Sequence, residues 1–375
     1  KQEIKISVRN LVESVLRSGD LDNRFVGSAR ALEGTRIHKK IQKSAGEHYS
    51  SEYFLKYRME YQKFMLIIEG RADGIIKTDE KVIIDEIKTT TAPLDMIDED
   101  YNILHWAQAK CYAYIYAAQE GLNSIDIRLT YYNLETEGIK YILKTFDTSD
   151  LREFFHDILD KYFEFANASY DWNIIRDYSI KRLDFPFEKY RAGQRELAVS
   201  VYRTVKNGYR LFVQAPTGIG KTISTIFPAV KAMGEGHISK IFYLTAKTIT
   251  RSVAEEAFDL MAGKGLKFKV LTLPAKEKIC FNEKVNCNPE KCEYAKGHYD
   301  RVNNAILDIL KNEDHFSREI IEQYARKYNV CPFEYSLDLS LWADAVICDY
   351  NYVFDPNVYL RRFFMDNGGD YAFLI

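Results

Sequence analysis

Ala215-Pro-Thr-Gly-Ile-Gly-Lys-Thr222 follows the apolar run Leu211-Phe-Val213 and leads into a stretch of helical apolar spacing that begins near Thr222. A strand, a glycine-rich turn and a helix start, in that order, make a cradle for phosphate, because the first amides of a helix have no partners of their own. Gly218 and Gly220 let the backbone turn tightly and bring N–H groups against phosphate oxygens. Lys221 is placed to reach the β- and γ-phosphates and the Thr222 hydroxyl to ligate Mg²⁺, with Thr217 inside the same loop. A Gly-x-Gly turn ahead of any helix is the bland alternative, and the flanking strand argues against it. A nucleoside triphosphate with Mg²⁺ is the expected ligand.

From about Asp184 onward, apolar runs alternate with helical spacing, the pattern of a parallel sheet covered by helices. Its buried strands are expected at 210–214, 240–245, 343–348 and 371–375. Residues 1–148 read instead as an α+β unit. Helical spacing dominates from Ser7 to His48, a strand and hairpin cover 62–87, and an amphipathic helix covers 102–119. A second hairpin spans 125–146 around the turn Glu135-Thr-Glu-Gly138. Leu151, Phe154, Phe155, Ile158, Leu159, Tyr162 and Phe163 recur at helical spacing in a connector over 149–183. The chain opens without Met and stops inside an apolar strand, Asp370-Tyr-Ala-Phe-Leu-Ile375, so a piece of a longer protein is expected.

A length of 375 residues suffices for two or three domains, each with its own core. Net charge is −2, so no global field draws the chain to polyanions, and nucleic-acid contacts have to come from local patches. Apolar runs are too short to cross a bilayer and no secretory leader opens the chain, so no membrane partner and a cytoplasmic setting are expected. In a reducing setting the six cysteines point to metal rather than to disulfides.

Gly70-Arg-Ala-Asp-Gly-Ile-Ile-Lys77 and Lys81-Val-Ile-Ile-Asp-Glu-Ile-Lys88 flank a short polar turn. If Asp79-Glu80 is a two-residue turn, Lys77 faces Val82 and, counting outward, Asp73 lies opposite Glu86; a longer turn shifts the pairing. Lys88 shares the face of Glu86, whereas Asp85 points the other way. Two carboxylates ~5 Å apart repel by about 3 kcal/mol at an effective dielectric of about 20. A divalent cation between them turns that repulsion into binding.

Asp73, Glu86 and Lys88 together resemble the PD-(D/E)xK nuclease core, in particular its RecB-like branch. Gly34-Thr-Arg-Ile-His38 ahead of the core and Gln108-Ala-Lys-Cys-Tyr112 behind it extend the likeness, the second placing Gln108 and Tyr112 on one helix face. Singly each feature has a bland reading; the four in this order carry the resemblance. It implies that His38, Asp73 and Glu86, with the Ile87 carbonyl, hold Mg²⁺ or Mn²⁺. It further implies that Lys88 orients the attacking water and offsets charge at the scissile phosphate, while Gln108 and Tyr112 position the substrate. Some relatives carry an iron–sulfur cluster in the nuclease itself; this half has only Cys111, which excludes that variant.

Cys280, Cys287, Cys292 and Cys331 are separated by 6, 4 and 38 residues. Two helices are expected in the last gap, one with Val302, Ile306, Ile309 and Leu310 on a face and one over 317–328, so 276–335 reads as a module inserted into the sheet domain. Irregularly spaced thiolates suit an iron–sulfur cluster better than the tight knuckles of structural zinc. Zinc and unliganded thiols stay open. Cys348 lies in a buried strand and reads as core.

Set between the phosphate loop and Ala343-Asp-Ala-Val-Ile-Cys-Asp-Tyr-Asn-Tyr352, the module resembles the cluster domain of XPD/DinG-type superfamily 2 helicases. Helicases of that superfamily also carry Ala where the general loop has its first glycine, here Ala215. The resemblance implies a [4Fe–4S] cluster on the four cysteines and an adenine-side Q motif ending at Gln194, which would read the base edge. Lys247 and Thr248 become phosphate contacts or a plain helix cap. From Gly236 to Arg301 twelve Lys/Arg stand against eight Asp/Glu, a modest excess compatible with a DNA track. Ala345-Val-Ile-Cys-Asp349 has the shape of a Walker B strand, but no Glu follows it. The resemblance places the acidic box just after Ile375, so 1–375 would lack Walker B and the second motor domain.

The expected fold is multidomain α/β: an α+β nuclease core at 1–148, a helical connector at 149–183, and a partial RecA-like parallel-sheet motor domain at 184–375 with the cysteine insertion at 276–335. The expected protein is an ATP-dependent helicase–nuclease of DNA repair, a monomer acting on single-stranded DNA and on duplexes with a single-stranded tail. Movement 5′→3′ follows from the resemblance alone. Residues 1–375 by themselves are expected to bind nucleotide weakly and not to turn it over. Two other readings remain, a nucleotide-switched, zinc-containing DNA-binding regulator and a nuclease with a degenerate ATPase.

Overall fold

Strands that alternate apolar and polar residues dominate the first part of the chain, and fully apolar strands the second. A computed structural model describes residues 2–21, 28–216, 218–246, 248–355, 360–364 and 369–375. The chain divides into two compact units, Lys1–Ser18 with Asn23–Ala166, and Gly19–Asp22 with Asn167–Ile375.

The first unit runs through β1 (Gln2–Ser7), α1 (Val8–Leu16), α2 (Ser28–Ser44), β2 (Tyr49–Tyr61), β3 (Phe64–Lys77), β4 (Val82–Thr90), α3 (Ile103–Glu120), β5 (Ser124–Asn133) and β6 (Ile139–Asp147). Its six described strands form one sheet in the order β1-β3-β4-β5-β6, with β2 also on β3. β1 with β3 and β4 with β5 are parallel; the other pairs are antiparallel. The turn between β3 and β4 is closed by the Thr78 N–H donating to the Lys81 carbonyl at 2.9 Å. Lys77 therefore pairs with Val82 and Gly74 with Asp85, the register expected from a two-residue turn. β3 changes neighbours along its length. Its first residues pair with β1 as far as Glu69 and its last with β4 from Gly74 onward. Between them, on that side, Gly70–Asp73 has no strand partner among the described residues. β2 is absent from the sequence expectation, because its charged outward residues obscure the period-two pattern of Tyr53, Leu55, Tyr57, Met59 and Tyr61.

α3 starts at Asn102, whose side chain accepts the Leu104 and His105 amides, and ends at Gly121 in a left-handed conformation (φ 68°). Most of its residues are buried. The connector expected over 149–183 is a single helix, α4 (Thr148–Arg182), divided between the units at Ala166 and Asn167.

The second unit continues through α5 (Gln194–Lys206), α6 (Lys221–Gly234), β7 (Lys240–Leu244), α7 (Thr248–Ala262), β8 (Val270–Thr272), α8 (Lys276–Ile279), α9 (His298–Asn312), β9 (His315–Phe316), α10 (Arg318–Tyr328), α11 (Pro332–Leu339) and β10 (Ala345–Cys348), and closes with β11 (Tyr371–Leu374). The sheet order is β11-β7-β10-β8-β9, all parallel. β7, β8 and β10 are buried throughout, as strands covered on both faces must be. Asp344, next to β10, accepts from Trp172 Nε1 (2.9 Å), Arg176 Nη1 (2.8 Å) and the Lys269 amide (2.8 Å), which fastens the second part of α4 to this sheet.

One expected strand does not form. Residues 210–214 carry no strand, and Phe212 is 95% exposed. An apolar triplet becomes a strand only where a sheet edge pairs with it, and β11 pairs with β7 alone among the described residues.

The ring of Tyr49 lies across Gly74, in the space a Cβ would fill, and the Tyr49 hydroxyl donates to Asp85 Oδ2 at 2.9 Å. Gly74→Ala is expected to lower stability by about 1–3 kcal/mol, read from the urea midpoint. An unchanged midpoint would mean that the ring swings aside without cost.

Candidate active site

The unpaired stretch of β3 is where polar side chains converge. Asp73 Oδ2 accepts the Ile87 N–H at 2.7 Å, and Asp73 Oδ1 lies 3.2 Å from His38 Nδ1. α2 delivers His38 because Ile37 and Ile41, on either side of it, bury against Ile87 and Tyr132. Gln42, one turn after His38, donates to the Asp73 carbonyl at 2.9 Å. Burial works against a charged His38, but the hydrogen bond and charge of Asp73 prevail and raise its pKa.

Glu86 is 1% exposed. Its Oε1 accepts from Lys88 Nζ at 2.6 Å, and its Oε2 is buried with no hydrogen-bond partner among the described residues. Burial pushes the Glu86 carboxyl up to about 7, with Lys88 opposing the shift and Asp73 adding to it. A buried carboxylate oxygen without a partner is costly, and a proton or a cation removes that cost. Lys88 Nζ also donates to Gln108 Oε1 at 3.3 Å. Tyr112 hydrogen-bonds Gln108 and lies over Gly70, where a Cβ would stand 2.7 Å from its hydroxyl. Only glycine lets Tyr112 come so close.

Asp85 points the other way, as strand alternation requires. It is fully buried and accepts from Arg128 Nε and Nη2 (both 2.9 Å), Thr130 Oγ1 (2.5 Å) and Tyr49. Its lone pairs are taken, so it serves the fold. Gln42 shows in the sequence only as the i+4 neighbour of His38. Tyr49, Arg128 and Thr130 come from distant strands and carry no local signal.

Among the described residues, no three His, Cys, Asp or Glu side chains converge closely enough to hold an ion. Glu86 is turned to Lys88, while Asp73 is turned to His38 and to the Ile87 amide. The donor set still fits a hard divalent cation. Two carboxylates and an imidazole suit Mg²⁺ or Mn²⁺, and Glu86 Oε2 is the orphaned oxygen such an ion would take up.

In the second unit Gly218 (φ 83°) and Gly220 (φ 79°) adopt left-handed conformations ahead of α6. Lys221 Nζ folds back onto the carbonyls of Ala215 (3.0 Å) and Pro216 (3.1 Å), spanning the loop. Thr222 shares a side-chain hydrogen bond with Tyr243. Gln194 is buried, accepts the Arg191 amide at 2.9 Å, and packs on Gly220, where a Cβ would stand 2.5 Å from its Nε2. Arg191 donates to the Gly218 carbonyl. Thr217, Lys247 and the side chain of Thr248 lie outside the described residues. Asp349 accepts the Asn351 amide at 2.9 Å, the role of a local cap.

All four module cysteines are free thiols. Cys292 and Cys331 share an apolar cluster with Leu21 and Ala295, and Cys287 is near enough for its charge to act on Cys331. Cys280 ends α8, which packs against α11, the helix that Cys331 caps. The four are thus gathered in one module without closing on a common point. The donor chemistry fits a thiophilic metal or cluster.

Residues 6–198 match the PD-(D/E)XK nuclease superfamily, a little over half of the chain, and residues 245–365 match the family described as DEAD_2. The probable ATP-dependent helicase MJ0942 of Methanocaldococcus jannaschii is 41% identical over 46 residues, 12% of this chain and 7% of that protein. The general transcription and DNA repair factor IIH helicase subunit XPD of Dictyostelium discoideum is 20% identical over 205 residues, 46% of this chain and 26% of that protein. The chain thus spans about a quarter or less of the curated relatives it matches. A solved structure named XPD_Helicase covers 46% of this chain and 30% of its own at 17% identity, with a TM-score of 0.32.

Glu86 and Asp85 separate experimentally. A carboxyl whose folded pKa is raised contributes stability that is fully present below its ordinary value of 4.5 and is lost as pH rises to about 7. In chelator, wild-type stability is expected to fall over that window and the Glu86→Gln variant to stay level, both followed by urea unfolding. Asp85→Ala leaves the Arg128 charge buried without its partner and is expected to cost about 3–5 kcal/mol; a loss under ~1 kcal/mol would make Asp85 a rival to Glu86 as the ligand.

Proposed function

The chain belongs to the PD-(D/E)XK nuclease superfamily, with an XPD/DinG-type helicase segment fused behind it, and from that footing we propose that it hydrolyses DNA phosphodiester bonds with a divalent cation, beside an ATP-driven motor that moves on single-stranded DNA. One observation carries the nuclease reading: the orphaned Glu86 Oε2, beside Lys88 and close to the Asp73–His38 pair.

His38, Asp73 and Glu86, with the Ile87 carbonyl, would hold Mg²⁺ or Mn²⁺. The ion would polarise the scissile phosphate and lower the pKa of a bound water. Lys88 supplies a fixed positive charge where negative charge gathers on the phosphate, and Gln108 holds its ammonium in place. Glu86 must lose its proton before it can ligate, so Mn²⁺ affinity should rise as pH passes about 7.

For the motor segment the proposed ligand is ATP with Mg²⁺, held by Gly218, Gly220, Lys221 and Thr222 with Thr217, and with Gln194 at the base. Lys221 would exchange the loop carbonyls for phosphate oxygens. Cys280, Cys287, Cys292 and Cys331 are proposed to hold a [4Fe–4S] cluster, which visible absorbance and iron content of anaerobically prepared protein would reveal; a colourless protein with stoichiometric zinc would favour a regulator instead. Movement 5′→3′, action on tailed duplexes, a role in repair, a monomeric state and a cytoplasmic setting belong to the same proposal.

Cleavage of a labelled oligonucleotide with Mn²⁺ tests the nuclease. Glu86→Ala is expected to reduce it to background, and Lys88→Ala to lower kcat by ~10²–10³ with Mn²⁺ binding retained. Undiminished Mn²⁺-dependent cutting by Glu86→Ala would remove this site from the reaction.

A further inference from the structure

α2 has two working faces. The inner one carries Ile37, His38, Ile41 and Gln42 to the site. The outer one carries Arg36, Lys39, Lys40 and Lys43, all exposed, at the i, i+3, i+4, i+7 spacing that places them on one stripe. α2 carries one acidic residue among its described side chains, the exposed Glu33 one turn before Arg36, and none from Gly34 to Ser44. Lys40 pairs with Glu137 at 3.2 Å, and Glu137 also senses Arg36; Lys39 and Lys43 make no ion pair among the described residues. This concentration of charge stands out in a chain whose net charge is −2.

We propose that this stripe is a docking track for the sugar–phosphate backbone of the nucleic-acid strand that the neighbouring site cuts. The inference rests on the nuclease reading and adds where the substrate lies. The site itself is lined by Asp73 and Glu86, which repel a phosphodiester, so flanking cations are needed to bring the strand in. His38 and Gln42 bind Asp73 from the same helix, which fixes the stripe on the opposite face of α2 from the carboxylates, one helix diameter (~10 Å) away, so the strand has to pass round α2 to reach them. From Arg36 to Lys43 the helix rises ~10 Å. One strand of a duplex advances ~3.4 Å along its axis per phosphate, so the stripe matches about three phosphates of a strand in that form. The stripe has no aromatic or amide readers, so it grips backbone without reading sequence.

The test measures binding of a labelled single-stranded oligonucleotide by fluorescence anisotropy, in chelator to prevent cutting, over a range of salt concentrations. Losing two phosphate contacts in the Lys39→Gln/Lys43→Gln variant should make the log–log salt slope shallower by about 1.4. The Lys39→Arg/Lys43→Arg variant keeps the charge and should keep the slope. Lys161→Gln, which removes an exposed lysine paired with Asp157, should also leave it unchanged. A Gln variant with native circular dichroism and an unchanged slope would overturn the track, as would loss of binding to poly-glutamate alone, which would point to an acidic protein partner. Mn²⁺-dependent cutting by the wild type is read separately, so failure of the nuclease reading and failure of the track are distinguishable.

Discussion

The first unit depends on a change of partner along one strand. β3 is held by β1 up to Glu69 and by β4 from Gly74, and the four residues between are released from the ladder on that side. A released strand edge leaves backbone groups seeking partners. Here the Asp73 side chain takes over, accepting the Ile87 amide where a carbonyl would otherwise do so. That bond turns the carboxylate toward β4 and sets it near Glu86. Gly70, at the start of the same window, has no side chain, and Tyr112 fills the space. A continuous ladder would have closed the site.

Burial then differentiates two adjacent acids. Asp85 and Glu86 sit side by side on β4 and are both buried, yet Asp85 has an arginine, a threonine and a tyrosine to satisfy it, while Glu86 has one lysine and an empty oxygen. The satisfied acid anchors three strands. The unsatisfied one is held in a costly state that a proton or cation relieves, which is the condition expected of a working carboxylate. The same contrast separates lysines in the second unit. Lys240 and Lys269 count toward the basic excess between Gly236 and Arg301, but both are buried and donate to main-chain carbonyls. They cap the C-terminal ends of α11 and α9 and cannot reach a nucleic acid.

The cysteine module draws on a piece of chain far from it in sequence. Gly19–Leu21 exchanges main-chain hydrogen bonds with Ala295 and Tyr299, the Gly19 amide donates to Asp300, and Leu21 packs beside Cys292 and Cys331. Nothing in Ser18-Gly-Asp-Leu21 announces this. Contacts across more than two hundred and fifty residues leave no local pattern.

The hairpin register, the face shared by Glu86 and Lys88, the α3 pair Gln108 and Tyr112, the glycine turns at 218 and 220, and the two helices inside the long cysteine gap were all legible in the sequence. Each is set by short-range rules: a two-residue turn, strand alternation, helical spacing, or the need for glycine at positive φ. The tertiary structure alone decided that 210–214 is exposed chain, because a strand needs an edge to pair with. It alone decided that β2 flanks β3, that Asp85 is spoken for by Arg128, and that Glu86 keeps an oxygen without a partner. Those outcomes depend on which distant strands arrive alongside, and on how many donors they bring into a space closed to water.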